Sequence, residues 1–256
     1  MRPDPYTWSV HPEATAPILL LVAAYIYVTR RQHVPPWRVA CFAAGVALLL
    51  ATAVTPLDSL QYHLLTMHLL QNVVLAEWAP ALVVLGIPAA LGRRFRVRLW
   101  LGLPVWLLTY FVWHVPALYD TALEHDALLH VEHLCYLAAG ALFWWPVVHG
   151  RERDVSKALY VFVAFVLSSP LGLLLALLPE PLYDYYADAS LWGLTRLEDQ
   201  QLAGLTMAGE QSVVFFAVFS YLFARWMSSA DADEGSAGDH QHRRDDDPHA
   251  DELATP

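Results

Sequence analysis

Residues 151–186 read RERDVSKALYVFVAFVLSSPLGLLLALLPEPLYDYY. Within them Val155–Leu178 is an apolar run whose one charge is Lys157. A helix that crosses a bilayer needs roughly 20 mostly apolar residues, so this run is long enough to span. Its ends differ in chemistry. Arg151 and Arg153 precede it; Glu180, Asp184, Tyr183, Tyr185 and Tyr186 follow it.

Six further runs share that length and character: Ala14–Thr29, Trp37–Val54, Gln61–Leu91, Arg98–Tyr119, Ala127–Val148 and Gln200–Trp226. Pro80 and Pro88 should kink or end the long third run, because proline removes a helix hydrogen bond. Basic residues mark alternate connections. Arg30, Arg31 and Arg38 follow the first run, Arg93, Arg94, Arg96 and Arg98 the third, Arg151, Arg153 and Lys157 the fifth, and Arg225, Arg243 and Arg244 the seventh. Arg2 and Arg196 are the exceptions on the opposite side. Asp58, Asp120, Glu124, Asp126, Glu180, Asp184 and Asp188 occupy the other connections. The expectation is an all-α, polytopic membrane bundle of about seven transmembrane helices. The positive-inside rule puts its N-terminus outside and its C-terminus in the cytoplasm.

Composition agrees. The chain is 57% hydrophobic, above the usual share for a soluble domain, with ten Trp and twelve Tyr to furnish interfacial belts. The net charge of −10 comes partly from the acidic tail, and no basic groove for nucleic acid is visible. Cys41 and Cys135 lie apart in apolar stretches and read as buried small side chains. The expected organisation is an extracytoplasmic segment 1–13, a seven-helix domain 14–227 and a disordered acidic cytoplasmic tail 228–256.

A helix rises 1.5 Å per residue, so the basic ends serve as a ruler. Counted from Arg93, Glu77 lies about 24 Å up and His68 about 37 Å. From Arg98, His114 lies about 24 Å up; from Arg151, His133 lies about 27 Å and His130 about 31 Å up. From Arg225, Glu210 lies about 22 Å, Met207 about 27 Å and Gln200 about 37 Å up. Polar groups from four runs thus collect in the outer half of the membrane. Ionisable groups there are costly and usually face a cavity or a partner. Imidazole is a preferred ligand for copper, zinc and iron, and a thioether at Met207 would favour Cu(I). His130 and His133 are three apart on one helix, as are His68 and Gln71. Glu132 and Asp126 are placed to orient imidazole tautomers. Glu77 and Glu210, at similar heights, could share a proton with each other or with His114.

The segment His68-Leu-Leu-Gln71-Asn72, continuing through Ala79-Pro80 to Leu85-Gly86-Ile87-Pro88, resembles helix three of the CtaG-type (caa3-type) cytochrome c oxidase assembly factors. His114-Val-Pro-Ala-Leu-Tyr119, then His130, Glu132-His133 and Gly140 to Phe143-Trp144-Trp145-Pro146, is similar to that family's next block. Asp199-Gln200-Gln201-Leu-Ala-Gly204 with Met207 is similar to its C-terminal block. The resemblance implies a multi-pass protein of the cell membrane that matures a haem–copper oxidase. It would take copper from an extracytoplasmic donor, bind it at the outer face, and deliver it to the oxidase catalytic subunit. It carries over His68, His114, His130 and His133 as copper ligands, with Asp199, Gln200 and Met207 in support. One position departs from the pattern: Asn72 stands where the family has a second histidine. His63 does not replace it simply, being turned about 140° from His68 on an ideal helix.

Two other readings compete. A membrane haem protein with one outer haem would use axial pairs such as His114 with His133, or His68 with Met207. A membrane metallohydrolase is disfavoured, since His130-Val-Glu-His133 is not HExxH. A retinal protein needs a lysine deep in the last helix, and the only lysine is Lys157. A non-enzyme is the expectation.

Overall fold

The computed structural model describes residues 3–8, 10–187 and 191–245, with side chains through Ala230. Arg2, Asp188 and the last eleven residues of the tail lie outside the described residues.

All the regular structure is helical among the described residues. The chain runs α1 (Pro12–Thr29), α2 (Pro36–Val54), α3 (Pro56–Leu60), α4 (Leu65–Val73), a π segment (Val74–Trp78), α5 (Ala79–Gly86), α6 (Ala89–Gly92), α7 (Leu99–Trp113), α8 (Pro116–Glu124), α9 (Asp126–His149), α10 (Asp154–Leu177) and α11 (Arg196–Asp245). Six helices are long and apolar enough to cross a membrane, or seven when α7 and α8 count as one bent span. This agrees with the seven runs read from the sequence. α11 continues as helix to Asp245, into the segment whose composition reads as disordered.

Two departures from straight helices matter. The third run is one span from Leu65 to Gly86, but it winds wide at Val74–Trp78 before Pro80. Pro80 lacks an N–H, so an ordinary α turn there would leave a carbonyl unpaired. The fourth run breaks between α7 and α8 with a 74° bend. Pro116 is the cause: it disfavours helical geometry at Val115, which is extended at φ −65°, ψ 123°. His114 therefore sits at a corner.

In lipid the apolar surface of a helix has little reason to leave its surroundings, so close backbone approach between small residues carries packing. α10 and α11 pack along much of their lengths. They cross where a Cβ on Gly204 would run into Ala176 and the carbonyl of Gly172. α9 meets the π segment at Gly140, where a Cβ would collide with the Ala76 carbonyl oxygen. By contrast α1 packs chiefly on α2 and is exposed over most of its surface.

The two ends of the bundle differ, as the sequence indicates. At the arginine end, Arg38 Nη1 donates to the Leu85 and Ile87 carbonyls, both at 2.7 Å, closing the end of α5. Arg225 pairs with Asp154 at 3.2 Å, and Lys157 Nζ donates to the Gly150 carbonyl. The opposite end holds His68, His114, His130 and His133, whereas His149 stays at the arginine end with its Nε2 3.0 Å from the Val84 carbonyl oxygen.

Candidate functional site

At the histidine end, α4 begins with two backbone amides that no residue of its own caps. Asp199 of α11 takes them: its carboxylate accepts from Leu65 N at 2.6 Å, Thr66 N at 3.1 Å and Thr66 Oγ1 at 2.7 Å. A carboxylate at a helix N-terminus is favoured by both the free amides and the helix dipole. Asp199 thus fixes the first turn of α4, and His68 follows one turn later.

His68 is fully buried. Its Nε2 lies 3.2 Å from Glu132 Oε1, and Asn72 Nδ2, from the next turn of α4, donates to the same oxygen at 3.0 Å. A carboxylate offers no proton, so His68 Nε2 carries the hydrogen of that contact. Its Nδ1 then holds a free lone pair, and that atom is buried without a partner. His114 repeats the logic. Its Nδ1 lies 2.7 Å from the Tyr110 carbonyl oxygen, which also only accepts. The lone pair is left on Nε2, again buried and unpartnered. His133 Nε2 is the third such nitrogen.

The rings of His68 and His133 have centroids 6.3 Å apart. Tyr119 lies against both His68 (4.7 Å) and His114 (6.2 Å), an aromatic ring shared between the two imidazoles. Among the described residues no three His, Cys, Asp or Glu side chains form a group that could hold one metal ion.

A loop between α10 and α11 roofs this layer. Tyr183 packs at a tilt against Tyr119, ring centroids 4.1 Å apart, and its hydroxyl donates to the His114 carbonyl at 3.2 Å. Tyr186 donates to the Gln61 carbonyl at 2.7 Å. Asp120 of α8 accepts from the Asp184 and Tyr185 amides, and Arg196 pairs with Asp184. Burial pushes the phenols of Tyr183 and Tyr186 up, so both remain neutral donors.

The other expected residues are distributed as follows. His130 is on α9 but turned to the surface, its Nδ1 2.6 Å from the Asp126 carbonyl. Together with His133 it lines a cleft of about 1240 Å³ between α1 and α9, whose apolar wall includes Ile18, Leu21 and Leu134. His63 is exposed at the Pro3 carbonyl, 2.7 Å away. Gln71 Nε2 donates to the Thr52 carbonyl of α2. Gln200 accepts from Leu182 N at 2.6 Å and donates to the Glu180 carbonyl. Met207 is buried in the apolar core. Glu77 and Glu210 are associated with each other nearer mid-bundle. So His68 gathers Glu132, Asn72 and His133, and the Tyr119 ring joins it to His114, while Gln71, Asp199 and Gln200 brace the backbone. Tyr110, Tyr119 and Tyr183, which build the walls and roof, are not distinguishable in the sequence from interfacial belt aromatics. The signal available was Tyr119 ending the same block as His114.

Comparison with known proteins completes the picture. Residues 19–229 match the family model described as cytochrome c oxidase caa3 assembly factor. No curated protein and no solved structure matches the chain.

Proposed function

Given that the chain belongs to the caa3 cytochrome c oxidase assembly-factor family, we propose that it holds copper in its histidine layer and hands it to the oxidase catalytic subunit. The observation that carries this is the set of three buried imidazole nitrogens, His68 Nδ1, His114 Nε2 and His133 Nε2, with no partner. Unpartnered buried polar atoms are costly and uncommon in a folded protein. In two of these rings the other nitrogen is already committed to an acceptor, which fixes the tautomer a metal requires.

Copper is cargo here. Two imidazoles on one ion, each about 2 Å from it, have centroids separated by about 6 Å when nearly opposed. The 6.3 Å between His68 and His133 supports a two-imidazole seat rather than a four-histidine cage. Few ligands suit a carrier, because a partner with more ligands strips the ion readily. His114 is the reserve ligand beyond the Tyr119 ring. Glu132 orients His68 and offsets the charge of the ion.

The roof of Tyr183 and Tyr186 closes the site from above, whereas the cleft between α1 and α9 reaches His133 from the side. Transfer is therefore lateral, within the membrane, with His130 at the mouth of the cleft. The positive-inside rule places the arginine end in the cytoplasm and the histidine end on the extracytoplasmic side of the cell membrane, where a copper donor is met.

The test replaces His68 and His133 together by alanine. Copper bound to the detergent-purified protein and copper in the oxidase should both fall, with the variant still present in the membrane. Unchanged oxidase copper, or a haem absorption band in the purified wild type, overturns the reading.

A further inference from the structure

The histidine layer leaves one buried ionisable pair unused. Glu77 lies on the π segment and Glu210 on α11, in the middle of the bundle. Glu77 is almost fully buried. Its Oε1 accepts from Gln211 Nε2 at 2.9 Å, and Gln211 Oε1 in turn accepts from Ser168 Oγ of α10 at 3.1 Å. Glu210 Oε1 accepts from Trp78 Nε1, the neighbour of Glu77 on the same wide turn. One oxygen of each carboxyl is thus satisfied by a donor crossing between the two helices.

The other oxygen of each, Glu77 Oε2 and Glu210 Oε2, is buried with no partner. Yet the crossed bonds, Trp78 to Glu210 and Gln211 to Glu77, hold the two carboxyls side by side. Two bare carboxylates cannot bond each other, since neither has a proton to give. The ion pairs of the described residues include neither glutamate. Of the helices packed around them, α7 contributes the titratable Tyr110 and α10 the neutral Ser168. Two like charges so placed, without a cation and away from water, repel strongly.

We propose that Glu77 and Glu210 form a proton-binding site inside the membrane, holding one proton in common, with Oε2 of one carboxyl donating to Oε2 of the other. The proton turns two orphaned acceptors into a donor and an acceptor and completes a chain of bonds from Trp78 through Glu210, Glu77 and Gln211 to Ser168. It joins the third span to the last two across the wide turn. The site titrates as a pair rather than as two separate acids. It does not rest on the copper reading, because none of its members is a proposed ligand; it meets the histidine layer at the Tyr110 hydroxyl, which donates to the Ser168 carbonyl at 3.5 Å.

Infrared spectroscopy of the full chain in lipid bilayers tests this through the carbonyl stretch that a protonated carboxyl shows and a carboxylate lacks. At neutral pH the wild type should show such a band, shifted on exchange into heavy water. Glu77→Gln and Glu210→Gln should each move its frequency, because each removes the partner of the remaining acid. The double variant, which keeps the shape of both side chains, should lose the band. An absent band in the wild type overturns the proposal, as does a band that survives the double change. A band left in place by either single change overturns it too, since the acids would then be independent. A metal ion found in the wild type and missing from the double variant overturns it in favour of a cation.

Discussion

His68 Nε2 and Glu132 Oε1 face each other at 3.2 Å with both side chains fully buried, and the same carboxylate oxygen accepts from Asn72 one turn further along α4. The resemblance read from the sequence leads one to expect histidine at position 72; here an amide supports the neighbouring imidazole instead. The departure thus has a physical role: Asn72 helps hold the carboxylate that aims His68.

Glu132→Gln keeps the volume but allows the amide to present either a donor or an acceptor to His68. The tautomer of His68 is then no longer fixed. Copper affinity, measured by competition with a chromophoric Cu(I) chelator, should fall roughly 10- to 100-fold, the usual cost of losing a carboxylate behind a metal-bound imidazole.

Single alanine changes should separate the two histidines of α9. His133→Ala removes one of the two proposed ligands and should abolish tight copper binding in the same assay. His130→Ala should leave equilibrium affinity unchanged and slow transfer to an acceptor, because His130 lines the cleft without joining the seat.

Asp199→Ala strips the first two amides of α4 of their acceptor. A lost helix N-cap costs about 1–2 kcal/mol. Thermal unfolding of the detergent-purified variant, followed by tryptophan fluorescence, should show a lower midpoint, and copper binding should weaken because His68 is displaced with the helix.

The roof gives a pH dependence. Burial holds the Tyr183 and Tyr186 phenols above their free value, so the folded protein keeps these protons longer than the unfolded chain does. Their contribution is complete below pH ~10, where a free phenol begins to ionise, and is lost as pH rises beyond it. Stability measured across the alkaline range should fall less steeply in Tyr183→Phe than in the wild type.

Much of the span count was legible because charge and apolar length are written directly along the chain. Arg93 to Arg98 and Arg151 to Lys157 marked one end without any knowledge of packing. The gathering of His68, His114 and His133 at the other end also follows from counting along helices. What did not follow was the face each residue presents. α9 is apolar nearly all round, so no stripe distinguishes the side bearing His133 and Glu132 from the one bearing His130. In water such a stripe would show; in lipid both faces of a helix are greasy. Asp199 and Gln200 read as site candidates because they are polar and near the histidines. Their work on backbone amides of α4 and of the roof depends on contacts between residues more than a hundred positions apart, or across a loop, that no local pattern records.

The wide turn at Val74–Trp78 lets a single membrane crossing address two audiences. Above it, His68 and Asn72 turn to α9; on it, Glu77 turns to α11. Rewinding that turn as ordinary helix with no change in length would swing everything beyond it by about 100°, the angular step of one helical residue. The notch that receives Gly140 would then rotate away from α9, so the one extra residue wound into the wide turn is what keeps both halves of the span facing their partners.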